Sequence, residues 1–207
     1  MRFTTITASL ATLALAISTM SACSRTIVEG TVDTGYDSGD IVQSVDFWHA
    51  LPGRSAVSND EGLHGLILFA DDEDPNTTYD DRVDYLKAMG WIAEDFNEPS
   101  NMAMRRGTLA KGLTHALDIE GGVMMRLTKK SSRYSVRELV YLGIMPQGTE
   151  YQVLNGYEYL GVISKAQDYE LLNQGEKIEQ VPPSSEELDA PVQDAPEAEQ
   201  DAGADGD

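Results

Sequence analysis

The chain has 207 residues, of which 41% are hydrophobic, and this is enough for one domain with its own core. It carries 35 acidic residues against 15 Lys and Arg, and the resulting formal net charge of −20 argues against nucleic acid as a partner. Its single cysteine, Cys23, excludes a disulfide bond within the chain.

The N-terminal segment is typical of an export signal. Arg2 supplies an early positive charge, an apolar run extends from about Ile6 to Ile17, and small residues precede Cys23. The run is too short for a stable membrane span. The residues MSAC resemble the lipobox of bacterial lipoproteins, in which the cysteine thiol receives a diacylglyceryl group. This resemblance implies a signal peptide over residues 1–22 and lipidation at Cys23, and the serine that follows suggests an outer-membrane destination. The alternative is an ordinary secretory signal.

Two polar segments flank the expected domain. Residues 23–39 are predicted to form a lipidated tether with little order. From Val181 to Asp207 there is no Lys, Arg or aromatic residue, but there are nine carboxylates, so this stretch cannot bury enough apolar area to fold. We therefore expect a disordered acidic tail over residues 175–207 and a folded domain over residues 40–174.

The patterns inside residues 40–174 predict a mainly α-helical domain. SNDEGLHGLILFA combines a capping box, Ser58 with Glu61, and apolar residues at helical spacing. Thr78 can cap the next helix, which Gly90 is placed to end in a left-handed conformation. We expect further helices in DIVQSVDFWHAL, RRGTLAKGLTHAL, SVRELVYLG and NGYEYLGVISKAQDYELL, whereas GGVMMRL is a short candidate strand.

Two stretches of the domain look alike, about residues 82–119 and 135–169. Each is predicted as a helix, a glycine, a hydrophobic residue, a loop and a second helix. Aligning the two stretches pairs Gly90 with Gly143 and Gly107 with Gly156. The repeat predicts two helix-loop-helix units.

The first unit resembles the surface-layer homology module through GWIAEDFNEP followed by MRRGTLAKGL. Arg106 falls on the arginine of the motif that opens the module's second helix, whereas Arg105 and Thr108 depart from that motif, and the second unit has no arginine there. The resemblance implies modules that usually come in threes and bind anionic cell-wall polymers. The run beginning VDFWHALPGRSAV also resembles uncharacterised lipoproteins of planctomycete-like bacteria, a family that implies no activity.

A basic band crosses this acidic chain. Arg105 to Arg137 contains eight Lys and Arg residues against Asp118 and Glu120. Positive charge at a helix start is unfavourable to the helix dipole, which suggests that the arginines there have either internal carboxylates or an external polyanion as partners. The candidate polyanion-binding residues are Arg105, Arg106, Lys129, Lys130 and Arg133.

No motif predicts catalysis, a cofactor or a metal site. His49, His64 and His115 lie in no H-E-x-x-H or similar arrangement, and we expect His64 and His115 to be partly buried or on the surface. Asp72, Asp74 and Asn76 alternate as in a calcium loop, but Thr77 and Val83 stand where that loop needs Gly and Glu. We interpret the stretch as a loop between helices.

The sequence as a whole predicts a lipid-anchored protein of the cell envelope. It is expected to be a non-catalytic binding or scaffolding module, attached to the membrane through its N-terminal lipid. Its expected partner is an anionic envelope polymer or an envelope protein. The alternative is an envelope hydrolase whose catalytic triad is assembled across the fold and is not visible in the sequence.

Overall fold

A computed structural model describes residues 26–36 and 41–179, with side chains as far as Asn173. Within these ranges there are seven α-helices and no strand, which confirms the prediction of a mainly helical domain. Residues 1–25, which include the predicted signal peptide and Cys23, residues 37–40 and the residues beyond Glu179 lie outside the described part. No described helix is both long and apolar enough to cross a membrane. The helices are α1 (Ile41–Ala50), α2 (Asn59–Asp71), α3 (Tyr79–Ala88), α4 (Arg106–Ala116), α5 (Val123–Leu127), α6 (Ser132–Tyr141) and α7 (Gly156–Glu179), with a 3₁₀ turn at Leu51–Gly53.

Local signals in the sequence define where helices begin and end. The Ser58 hydroxyl accepts a hydrogen bond of 3.2 Å from the amide of Glu61, and the Glu61 carboxylate accepts one of 2.7 Å from the amide of Ser58. This is the predicted capping box, and it satisfies amides that the first helical turn leaves without partners. The predicted cap at Thr78 and the left-handed Gly90, at φ 72°, are confirmed as well.

The helices form three consecutive helix-loop-helix pairs, α1 with α2, α3 with α4, and α6 with α7. The two repeated stretches of the sequence overlap the second and third pairs, and Gly143 has the same left-handed conformation as Gly90. The second helices of these pairs begin at Arg106 and Gly156. The structure therefore aligns Gly156 with Arg106, one residue away from the pairing with Gly107 that the sequence suggested.

The segments that lead into α2, α4 and α7 meet at one place, which we call the junction. The amide of Met104 donates to the carbonyl of Val57 at 2.8 Å, and the amide of Val57 donates to the carbonyl of Leu154 at 3.0 Å. Side chains of all three residues are buried. The junction thus brings the N-terminal ends of the three second helices together.

Close contacts below the junction hold α2, α4 and α7 in one core. A Cβ atom at Gly112 of α4 would overlap the side chain of Leu66 in α2, so glycine allows these two helices to approach closely. From α7, the hydroxyl of the fully buried Tyr159 donates to the carbonyl of Gly62 at 2.8 Å. Burial raises the pKa of Tyr159, so the hydroxyl remains a donor.

Three parts of the chain differ from the sequence expectations. Residues 26–36, expected as a loose tether, lie against the domain: Thr34 and Tyr36 are buried, and the amide of Val32 donates to Glu61 at 2.8 Å. The candidate strand GGVMMRL is instead helix α5, because Met125 packs inward while its neighbours face solvent. Helix α7 continues to Glu179, inside the stretch expected to be a disordered tail.

Candidate functional site

Arg105 stands between two grooves next to the junction. It is the N-cap residue of α4, has an extended backbone, and makes no side-chain cap to the helix. Its guanidinium carbon lies 5.7 Å from the centre of the Tyr151 ring, and its Nε lies 3.8 Å from a carboxylate oxygen of Glu98. A half-exposed arginine over an aromatic ring is held in place while its remaining N–H groups can meet a ligand.

The α4 N-terminus is closed by backbone carbonyl groups. The amides of Arg106 and Gly107 donate to the carbonyls of Gln152 and Glu150 at 2.8 and 3.0 Å. These bonds replace the capping box that α2 has, since Arg105 and Thr108 stand where Ser58 and Glu61 stand in α2. The first amides of α4 are thus occupied, and any anion here must be bound by side chains.

Arg106 lies inside the protein, with only 4% of its surface exposed. Its guanidinium donates to the carbonyls of Gln147, at 3.0 Å, and Pro146, and its Nε has no hydrogen-bond partner. Among the described residues it forms no ion pair with a carboxylate, and burial holds its pKa below the ordinary value. Arg106 thus holds the loop at residues 146–147, and polyanion binding by this arginine stays a prediction.

The first groove, called the Arg105 groove below, has a volume of about 630 Å³. Arg105, Arg106 and Glu158 are the charged residues that line it, and neutral polar groups come from Gln147, Gln152 and Tyr151. The two cations exceed the single carboxylate in an otherwise acidic protein. Tyr151, Gln147 and Gln152 were not predicted from the sequence, because they lie in a loop without a motif and reach Arg105 only through the fold.

A second groove of about 510 Å³ lies on the other side of Arg105. Arg133 from the predicted set lines it with Arg105, but Asp95, Glu98 and Glu150 line it too. Its mixed charge makes it less suited to an anion than the Arg105 groove.

Lys129 and Lys130 line neither of these two grooves. Lys129 is exposed, whereas Lys130 is half-buried and donates from Nζ to the carbonyl of Thr114 at 3.0 Å. The structure thus divides the five predicted residues: Arg105 and the mostly buried Arg106 line the first groove, Arg105 and Arg133 line the second, and the two lysines lie elsewhere.

A buried polar cluster links the N-terminal segment to α2 and α3. The Nδ1 atom of His64 lies 2.6 Å from a carboxylate oxygen of Asp74, and Nε2 lies 2.8 Å from the hydroxyl oxygen of Tyr36. His64 is 1% exposed, so the expectation of a partly buried or surface histidine is wrong. No motif could reveal the cluster, since its members are distant in the sequence.

Arg82 completes this cluster from α3. Its guanidinium forms ion pairs with Asp74 and, at 2.8 Å, with Asp60, and it donates to the carbonyls of Thr34 and, at 3.0 Å, Asn76. Burial raises the pKa of Asp74, but the hydrogen bonds from His64 and Arg82 outweigh it and keep this pKa below the ordinary value. Asp74 is therefore ionised and paired, which leaves the alternating carboxylates unsuited to calcium.

The chemistry available to the other histidine and to metals is limited. Burial, with Lys130 and Lys111 nearby, lowers the pKa of His115 to about 4, so its imidazole is neutral near pH 7. Across residues 26–36 and 41–173, no group of three or more His, Cys, Asp or Glu side chains is placed to hold a metal ion. Cys23 lies outside this range.

Comparison with known proteins gives no further indication. No family model matches the chain, and no curated protein or solved structure matches it closely enough to indicate a relationship.

Proposed function

We propose that the protein is a lipid-anchored, non-catalytic binding module of the cell envelope, and that the Arg105 groove binds an anionic envelope polymer. The observation that carries the proposal is the pair of adjacent arginines lining a groove with one carboxylate, in a chain whose net charge is −20. A cationic groove that persists against so acidic a background favours an anionic ligand.

The geometry of Arg105 supports direct recognition of carboxylate or phosphate groups. Tyr151 lies under the guanidinium and limits its motion, which lowers the entropy lost when it binds. The side-chain amides of Gln147 and Gln152 line the same groove and can add neutral hydrogen bonds. Arg106 adds a fixed positive charge behind the groove.

The arrangement of helices supports the same proposal through the resemblance to surface-layer homology modules. That resemblance implies copies in threes, and the segments that lead into α2, α4 and α7, the second helices of three pairs, meet at the junction. The ligand class that the resemblance implies, an anionic cell-wall polymer, agrees with the charge of the Arg105 groove. The departures at Arg105 and Thr108 predict that this protein holds its ligand differently from the module's usual motif.

Attachment to the membrane rests on the lipobox and is tested separately. Cys23→Ala removes the thiol that would be acylated, so we expect the protein to leave the membrane fraction and appear in the soluble exported fraction. The measurement is fractionation of cells that express each form, together with the incorporation of a labelled fatty acid into each. Wild-type protein that incorporates no labelled fatty acid, or a Cys23→Ala protein that incorporates as much as wild type, would refute the lipid anchor without affecting the Arg105 groove.

The binding proposal is tested by co-sedimentation of the Cys23→Ala protein with purified wall and envelope polymers. Arg105→Ala is expected to weaken binding about tenfold or more, because a hydrogen bond to a charged group contributes about 1.5–3 kcal/mol. Arg126→Ala is the matched control, since Arg126 is an exposed arginine paired with Glu120. Equal binding by the two variants would refute the proposal that the Arg105 groove binds an anionic polymer. Binding that is seen only when envelope proteins are present would refute it as well.

One observation favours the alternative of an envelope hydrolase. His64 lies between a carboxylate and a hydroxyl, as the histidine of a nucleophile triad does. Tyr36 and His64 are both buried and line neither groove beside Arg105, so a substrate would need the N-terminal segment to move. Hydrolysis of envelope fragments that disappears in His64→Gln would establish this alternative.

A further inference from the structure

Helix α5 exposes an unusual share of apolar surface. Val123 is 80% exposed, Leu127 75% and Met124 49%, whereas the Met125 side chain between them is 2% exposed and packs into the core. Met125 also fills the space beside Gly121, where a Cβ atom would overlap its sulfur. The helix is therefore fastened by one inward residue and presents three large apolar side chains to the solvent.

The chain segment that contains and follows this apolar surface is cationic, although the exposed Asp118 and Glu120 precede it. Residues 121–137 include five Lys and Arg and no acidic residue. Lys129, Arg133 and Arg137 are exposed, while Arg126 pairs with Glu120 and Lys130 donates to the carbonyl of Thr114. Exposed apolar side chains bordered by cations occur here on a protein whose overall charge is strongly negative.

We propose that α5 and the cations that follow it, together called the α5 tip, dock onto the surface of an anionic lipid bilayer. The three apolar side chains would enter the boundary between headgroups and acyl chains, while Lys129 and Arg133 contact the phosphate groups. A soluble polyanion would use the cations alone and leave the apolar side chains in water. The combination of the two surfaces favours a bilayer.

No residue of the α5 tip lines the Arg105 groove, although Arg133 lines the second groove together with Arg105. Lys130 contacts Thr114 near the C-terminal end of α4, whereas Arg105 caps the N-terminal end of the same helix. A helix of 11 residues is roughly 16 Å long. The proposal goes beyond polymer binding and does not depend on the lipid at Cys23, so each can fail alone.

The test uses the full chain with Cys23→Ala, so that an introduced cysteine is the only one. A polarity-sensitive fluorophore is attached at Val123→Cys in the α5 tip or, as the control, at Tyr157→Cys, which is 74% exposed at the start of α7. On vesicles that contain phosphatidylglycerol, we expect a blue shift and quenching by lipid-borne quenchers at position 123 only. Vesicles of phosphatidylcholine should give a much smaller change. A label at the tip reports its own environment even if the N-terminal apolar run binds lipid.

Two sets of substitutions separate the contributions of charge and apolar surface. Lys129→Glu with Arg133→Glu should lower partitioning of the tip into anionic vesicles by about 25-fold or more, since each cation near an anionic surface accounts for about fivefold. Met124→Ser with Leu127→Ser should abolish the shift at position 123, with the circular dichroism spectrum unchanged. An aqueous emission at position 123 on anionic vesicles, or equal shifts at both positions, would overturn the proposal. Binding to anionic vesicles that the serine substitutions leave unchanged would show that the cations alone account for it, and this would also overturn the proposal.

Discussion

Arg82 is the residue whose loss should destabilise the fold most clearly. Its guanidinium is 1% exposed and pairs with Asp74 and Asp60. Arg82→Met keeps most of the side-chain volume but leaves the carboxylate of Asp74 buried without its cation. Breaking a buried ion pair from one side costs about 3–5 kcal/mol, so the free energy of unfolding should fall by that amount. For a domain of this size the melting temperature should fall by roughly 10–15 °C.

The assay is urea unfolding of the Cys23→Ala protein, followed by tryptophan fluorescence. Trp91 is buried and Trp48 is partly buried, so both change environment on unfolding. Arg126→Met is the matched control, because the Arg126 ion pair with Glu120 is mostly exposed and such pairs contribute less than about 1 kcal/mol. The m-value, which is the dependence of the free energy of unfolding on urea concentration, should be the same in both variants if unfolding remains two-state.

A double substitution separates the lost ion pair from other effects of removing Arg82. Asp74→Asn together with Arg82→Met removes the buried charge as well as its partner, so part of the lost stability should return relative to Arg82→Met alone. If the free energy of unfolding of Arg82→Met lies within about 1 kcal/mol of the wild-type value, charge pairing does not account for the stability of the cluster. A double variant whose loss equals the sum of the two single losses would lead to the same conclusion.

Three further predictions follow from local contacts. The pKa of Asp74 is lowered in the folded state, so the ionised carboxylate stabilises the fold fully above about pH 4, and this stability is lost as the pH falls through the folded-state pKa. The urea midpoints at pH 6 and pH 3 should therefore differ less in Asp74→Asn than in wild type. Ser58→Ala removes the acceptor of the capping box and should cost about 1 kcal/mol in the same urea assay, and no loss would contradict the role of the cap. Gly112→Ala should cost about 1–3 kcal/mol through overlap with Leu66, and an unchanged thermal midpoint would contradict the close approach of α2 and α4.

The features that the sequence predicted well are those that depend on neighbouring residues. The capping box at Ser58, the cap at Thr78 and the left-handed Gly90 each act within one turn of chain, so their signals survive in any tertiary context. Helical spacing of apolar residues gave the mainly helical fold for the same reason. Helix α5 was missed because five residues are too few to distinguish a helical period from an alternating one.

The features that the sequence did not predict depend on residues far apart in the chain. His64 was expected to be partly buried or on the surface, because nothing near it in sequence shows that Tyr36 and Asp74 will enclose it. Residues 26–36 looked like a tether because their polar composition hides the buried positions of Thr34 and Tyr36. Arg106 matched a binding motif, but the carbonyls that accept its hydrogen bonds belong to a loop about 40 residues later. Motif position alone cannot show whether an arginine faces the solvent or the protein.

The junction also constrains how the chain can fold as it is made. The amide of Val57 donates to the carbonyl of Leu154, and the carbonyl of Gly62 accepts a hydrogen bond from the hydroxyl of Tyr159, 97 residues further along the chain. The chain loses entropy when it closes loops of this length, and this loss comes before the contacts at the loop ends can stabilise the fold. A nascent chain that stops before α7 lacks the Tyr159 side chain that packs beside Gly62 and Gly65 of α2. Synthesis must therefore pass Tyr159 before any of the three helix pairs acquires its final environment, and shorter products should be substrates for chaperones and proteases.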